Sequence, residues 1–340
     1  MSLHSDASTY GCYVDAWILN DSPGTYTRHS IAIGEPAHDE VRIKVLASAL
    51  NHMDLWVTRG MPKPPLPHIP GCDCVGVVDS VGDGVTHVKP GDEVVVNPGI
   101  SSIDDIVRLG NDSPLGSSFQ IWGEHCRGAH AEFAIAPGRN VRPRPKGRTL
   151  EECAAFPLAY VTALRMLNRA RLKAGETVLV VGIGSGVSSA ALDIATWMGA
   201  KVIVTSRDSE KREQSMRRGA IQAVDTSDEK WNIEANVVVE SVGPATWEKS
   251  MRSLLPGGRL VVCGGTSGPT ASINLPRLFF KQYEIIGSSM GSYQEFDQLL
   301  ELVEAGLPIS IDGVFPFDEY PQALERLEAG AQLGKIVLTH

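Results

Sequence analysis

No apolar run free of charge reaches the 18 or so residues that a membrane span requires, which excludes an integral helical membrane protein. The opening MSLHSDASTYG has neither the basic start nor the apolar stretch of a signal peptide, so a cytoplasmic protein with no membrane partner is expected. Cysteine is scarce: Cys12, Cys72, Cys74, Cys126, Cys153 and Cys263 are scattered through 340 residues, too thinly for a disulfide scaffold, and reduced thiols are expected. The net charge of −9 contains no long block of like sign, and no basic patch is interleaved with aromatics, so nucleic acid is excluded as a partner. What is present is enough apolar material, 43% hydrophobic against 21% charged residues, to build a core in a chain long enough for two domains.

The character of the text changes along the chain. From Gly11 to Arg148 it is strand-like, with VRIKVLAS, CVGVVDSVG and GDEVVVN punctuated by Gly and Pro. Thr149 to Arg169 takes up a helical period around a single Pro157 and reads as a bridge. Beyond it, TVLVVG, KVIVTS, NVVVES, RLVVCGG and EIIGS alternate with helical stretches, the pattern of a parallel, doubly wound sheet. A helix over 294–305 and the terminal KIVLT at Lys335 are expected to rejoin the first domain. No internal repeat or low-complexity tract occurs.

The first of these α/β strands runs straight into GIGSGVSSAALDIA, small residues where a strand must turn sharply and admit a pyrophosphate to the start of a helix. The glycine pattern alone is weak: Gly182 and Gly184 are followed by Ser185, Gly186 and then Val187 where a third glycine would stand. Its place in a βαβ unit favours a dinucleotide over a merely tight turn. At the end of the second strand, 24 residues after Gly182, stand Ser206 and Arg207, where an NAD enzyme carries an acid. A hydroxyl and a guanidinium suit a 2′-phosphate, with Lys211 and Arg212 one turn later as helpers, and the cofactor expected is NADPH. Asp208 is read as the cap of the next helix.

From Trp17 onwards the chain resembles the medium-chain dehydrogenase/reductase superfamily, in its zinc-type alcohol dehydrogenase-like and quinone oxidoreductase-like branch. The segments that carry the resemblance are ALNHMDLWVTRG, PHIPGCDCVGVVDSVGDGV, KPGDEVVVNPG, AAFPLAYVTA, VGPATW with LLPGGRLVVCGGTSG, LFFKQYEIIGSSMGS and GKIVLT. It implies a GroES-like β-rich catalytic domain (1–154 and 290–340) beside a Rossmann cofactor domain (155–289). It also implies cofactor contacts from Thr162, Val242, Gly264, Gly265, Thr266 and Ser267. Relatives that bind catalytic zinc use a Cys, a His and a second Cys; the matching positions here are Asn51, Cys72 and Leu158, a set that cannot hold the metal. Their relay hydroxyl falls at Met53. The four cysteines of their structural zinc lobe fall at Ser102, Asp105, Arg108 and Gly116. The expectation is therefore a protein without metal whose lobe is held by packing or by a partner subunit.

Without a Lewis acid, oxidation of a plain alcohol loses its main support, whereas an activated C=C carries its own electron sink. The resemblance thus implies NADPH-dependent reduction of a small enone, enal or quinone. Asn51 is the first candidate for orienting substrate or nicotinamide, Tyr160 for presenting a phenol to the cleft, and His52 with Asp54 for a relay. Two other readings stand beside this one: an alcohol dehydrogenase-like enzyme on an alcohol/carbonyl pair, and a non-catalytic NADPH binder similar to the crystallins of the quinone reductase branch. LFFKQYEIIGS resembles the edge strand through which relatives pair, so a homodimer or a dimer of dimers is expected.

Overall fold

The computed structural model describes residues 12–340, so the opening segment lies outside the described residues. Alternation in EVRIKVLASA buries Val41, Ile43, Val45 and Ala47 while Lys44 faces solvent, and this strand, Glu40–Ala49, centres a seven-stranded sheet. Asp73–Val81 pairs antiparallel along one side of it. On the other side Phe133–Pro137 pairs with its first half and Lys335–Thr339 with its last three residues. Ile311–Pro316 then adds in parallel to Lys335–Thr339, so the end of the chain does return to the first sheet.

The second sheet has six parallel strands. From one edge to the other they are Gln222–Asp225, Lys201–Ser206, Thr177–Val180, Ala235–Glu240, Leu254–Val262 and Glu284–Gly287. Five of these coincide with the apolar runs read from the sequence. Gln222–Asp225 was not expected, because QAVD is short, lies at the edge and buries none of its residues fully. Helix Gly186–Trp197 follows the first strand, and Asp208 caps helix Ser209–Arg217 by accepting from the N–H groups of Glu210 and Lys211.

The bridge is two helices rather than one. Leu150–Ala155 ends before Phe156, and Pro157 opens Pro157–Arg169, where a missing N–H costs nothing. The second helix is buried along most of its length. A single core runs from Ala47, Val75 and Val337 of the first sheet through Phe156 and Leu164 to Val178 and Val204 of the second. Among the described residues no helix is long and apolar enough to cross a membrane.

Candidate active site

The parallel sheet reverses its strand order between Thr177–Val180 and Ala235–Glu240, which leaves a crevice beyond their carboxyl ends. The glycine loop fills one wall of it. Gly182 has φ +68° and would bring a β-carbon within 2.7 Å of Val242 Cγ2, so both the turn and the close approach require glycine. Ser185 caps the following helix by accepting from Ser188 N–H, which leaves the first N–H groups of the helix at its open end. Gly184 is already engaged: its N–H donates to Ser188 Oγ and its carbonyl accepts from Gly334 N–H. Gly186 lies so close to Lys335 that a β-carbon would stand 2.8 Å from Cδ of that lysine.

A cleft of about 390 Å³ opens along this loop. Gly182, Ser185, Gly186, Val187, Val242, Gly264, Thr266 and Thr162 line one part of it; Leu50, Asn51, His52, Met53, Trp56, Leu158, Met290 and Lys335 line the other. Thr162 Oγ1 donates to Leu158 O. Gly265 and Ser267 do not line the cleft. Ser267 spends its hydroxyl on Val242 O and on the N–H of Ala245, which fixes the loop after the strand. The loop, the capped helix and the small-residue wall fit a dinucleotide, with the pyrophosphate at the helix start.

At the far end of that wall, Ser206 is buried and its Oγ accepts from Asp208 N–H, while Arg207 is exposed. Among the described residues Arg207 makes no ion pair. The two expected helpers are differently placed. Lys211 Nζ donates to Gly330 O at 2.6 Å and sits near Gly184, so it would have to leave that carbonyl to meet a phosphate. Arg212 is corrected: its guanidinium pairs with Asp225 and with Ser206 O, so it braces the strand ends.

The other wall is organised by side chains that the sequence reading did not single out. The antiparallel register that pairs Val337 with Ala49, and Ala49 with Asp73, carries Lys335 and Asp73 to Asn51. Lys335 Nζ donates to Leu50 O, Asn51 Oδ1 and Asp73 Oδ2, each at 2.7 Å. Asn51 Nδ2 donates to Asp73 Oδ2 at 2.9 Å, and Leu158 N–H donates to Asp73 Oδ1 at 2.7 Å. Lys335 and Asp73 are 2% and 0% exposed, so their charges are compensated inside the protein. Two charged residues inside the apolar strings GCDCVG and GKIVLT were the available signal, since buried opposite charges must find each other.

Two expected catalytic groups are corrected. Tyr160 does not face the cleft: it is fully buried, and its hydroxyl donates to Asp193 Oδ2 and accepts from Ser310 N–H, both at 2.6 Å. Burial, with Asp193 beside it, pushes that phenol well above its ordinary pKa. Asp54 is also turned away from the cleft. Its carboxylate accepts from Asn51 N–H at 2.7 Å and lies 3.7 Å from His130 Nε2, so it closes the first turn of helix His52–Thr58 rather than serving His52. His52 does line the cleft, and burial, then the Lys335 charge, lower its pKa.

The residues at the positions that match the relatives' catalytic zinc ligands do not make a zinc ligand set. Asn51 offers an amide already held on both sides, and Leu158 offers no donor. Cys72, fully buried, is the one thiol at the three matching positions, and a single thiolate does not make a zinc site. A lysine ammonium already stands against Asn51. Among the described residues no group of three His, Cys, Asp or Glu side chains converges. In the lobe, three of the four positions that match the cysteines of a relative's structural zinc site form a polar knot. Asp105 Oδ2 accepts from Ser118 Oγ at 2.6 Å and Ser118 N–H at 3.1 Å, Asp105 Oδ1 pairs with Arg108, and Ser102 Oγ caps helix Ile103–Leu109. A β-carbon at the fourth position, Gly116, would collide with the Asp105 carboxylate.

Residues 37–146 match the model of the alcohol dehydrogenase GroES-like domain, and residues 186–305 that of the zinc-binding dehydrogenases. An acryloyl-coenzyme A reductase of Metallosphaera sedula is 31% identical over 90% of this chain and 93% of its own length. A solved NAD-dependent alcohol dehydrogenase is 35% identical, with a TM-score of 0.90 over 96% of this chain and 99% of that one. A 2-octenoyl-CoA carboxylase reductase, solved with NADP and 2-octenoyl-CoA, is 25% identical, with a TM-score of 0.88 over 96% of this chain and 87% of that one. With a GroES-like sheet, a doubly wound parallel sheet and a glycine loop at its switch point, this chain belongs to the medium-chain dehydrogenase/reductase superfamily and is a nicotinamide-dependent oxidoreductase.

Proposed function

We propose that the protein is a zinc-independent, NADPH-dependent reductase of activated alkenes (enones or enals) or quinones. The observation that carries this reading is the cleft floor: the three positions that match a relative's zinc ligands hold an amide, a buried thiol and an alkyl group (Asn51, Cys72 and Leu158), and the amide is already held by the Lys335–Asp73 pair. The bound cofactor would supply a hydride to the electron-poor carbon. The chain's own part is to hold the acceptor's carbonyl oxygen, exclude water with Leu50, Met53, Trp56, Leu158 and Met290, and let a proton reach the developing enolate from solvent. NADPH rather than NADH is inferred from Ser206 and Arg207 at the end of the second strand, since the two solved relatives differ in cofactor. Domain limits of 1–154 with 290–340, and 155–289, belong to the same reading.

The test is NADPH consumption with cyclohexenone, a quinone and, in the reverse direction with NADP⁺, ethanol, with products identified and zinc measured on the same preparation. Reduction of an enone or quinone at far less than one zinc per chain is expected. Efficient ethanol oxidation beside inert enones and quinones would instead support the alcohol dehydrogenase reading, which the 35% identical solved relative favours.

A further inference from the structure

We propose that Lys335 is a positioning residue: its ammonium fixes which edge of the Asn51 amide faces the cleft, and the N–H so presented holds the substrate's carbonyl oxygen. The inference rests on reading the cleft as a carbonyl-holding reductase site. An ammonium carries three hydrogens and no acceptor, and all three of those on Lys335 are spent, on Leu50 O, Asn51 Oδ1 and Asp73 Oδ2. Lys335 therefore has nothing left to offer a ligand directly. Its effect is on the amide: the atom of Asn51 facing an obligatory donor must be the oxygen, so the nitrogen is turned toward Asp73. There one Nδ2 hydrogen is given to Asp73 Oδ2. The second has no protein acceptor among the described residues, and Asn51 lines the cleft.

The rest of the network holds this arrangement rigid. Asp73 cannot swing toward the cleft, because its other oxygen accepts from Leu158 N–H at 2.7 Å. The alkyl stem of Lys335 cannot shift either, being packed against Gly186 at the start of the cofactor helix. A positive charge on the amide oxygen also polarises the amide and makes the free N–H a stronger donor. The cation of this site thus acts at one remove, through an amide, where a metal would act by contact.

The experiment measures binding of cyclohexanone, a saturated ketone that cannot accept hydride at a conjugated carbon, to the protein–NADP⁺ complex by calorimetry. Four variants are compared with the wild type: Asn51→Ala, the isosteric Asn51→Asp, the pair Lys335→Met/Asp73→Asn, which keeps the buried site neutral, and the triple Asn51→Ala/Lys335→Met/Asp73→Asn. Affinity is expected to fall about tenfold in both single variants and in the pair, and no further in the triple, with NADP⁺ affinity little changed. Wild-type affinity in the pair, losses that multiply in the triple, or no cyclohexanone binding to the wild type would each overturn the proposal. Because the readout needs no turnover, the non-additive pattern in a protein that reduces neither enone nor quinone supports the proposal while rejecting the reductase reading.

Discussion

His68 is 1% exposed, donates from Nε2 to Gly123 O, and is lowered by burial to a pKa of about 4. Its folded value lies below the unfolded one, so the folded state keeps it neutral while the unfolded chain takes up a proton as pH drops below 6.5. The stability it contributes is present above about pH 6.5 and lost as pH falls toward 4, by roughly 3 kcal/mol. Urea unfolding at pH 7, 5.5 and 4.5 should show that decline, and His68→Gln should flatten part of it; an unchanged slope would remove His68 as its source. Tyr160 tests a different role. Tyr160→Phe should cost about 1–3 kcal/mol of stability, because Ser310 N–H and Asp193 lose a buried partner. Turnover of the folded fraction should be unchanged, and a large fall in kcat would restore the phenol to the chemistry. Arg207→Ala should weaken NADPH by about 1.5–3 kcal/mol, roughly tenfold to over a hundredfold, and leave NADH nearly untouched. Equal weakening of both cofactors would show that Arg207 does not read the 2′-phosphate.

Helix Ile103–Leu109 is too short to stand alone, and its lobe is held by hydrogen bonds rather than by a core. Asp105 is the hub, its carboxyl held down to about 2 by the Ser118 hydroxyl and then by Arg108. Arg165, itself buried, ties the lobe to the body through Asn111 O, Asp112 and Glu295. Asp105→Ala should make residues 102–118 the first site of limited proteolysis with little change in the midpoint of global unfolding; unaltered proteolysis would assign the lobe's order elsewhere. The same scale explains what could be read from the sequence. Strands such as KVIVTS declare themselves through a run of buried positions, and the glycine loop through backbone needs that only small residues meet. Asn51, Asp73 and Lys335 meet only because three strands pair in one register, with Asp73 and Lys335 262 positions apart in the chain. Tyr160 misled for the complementary reason. Its position two residues after Leu158, which matches a relative's zinc ligand, suggested the cleft, but on helix Pro157–Arg169 those two positions point apart, and its side chain lies against helix Gly186–Trp197.

On the scale of the whole molecule, the parallel sheet ends at Glu284–Gly287, which among the described residues pairs only with Leu254–Val262 and has no partner along its other edge. An open edge of this kind is normally blunted or covered. The helix that leads into it, Leu275–Phe280, carries Leu275, Phe279 and Phe280 exposed, with Phe280 at 79%, and Ile273 just ahead of the helix is exposed too. So much apolar surface next to an unpaired edge suits a second copy of the same chain. A two-fold axis would pair the edge strand with itself and cover the phenylalanines in one self-complementary patch. Light scattering should therefore give twice the 36.6 kDa chain mass at micromolar concentration. Leu275→Asp with Phe280→Asp should reduce it to one chain mass while NADPH binding persists, because none of these residues lines the cleft. A second exposed patch, Ile103, Val107 and Leu115, lies on the lobe and would carry a dimer of dimers. If the particle is four chains, Val107→Glu should halve it and leave the edge-strand pair intact. A wild-type monomer would sink the assignment of both surfaces, and a dimer insensitive to the Leu275 and Phe280 changes would sink the first.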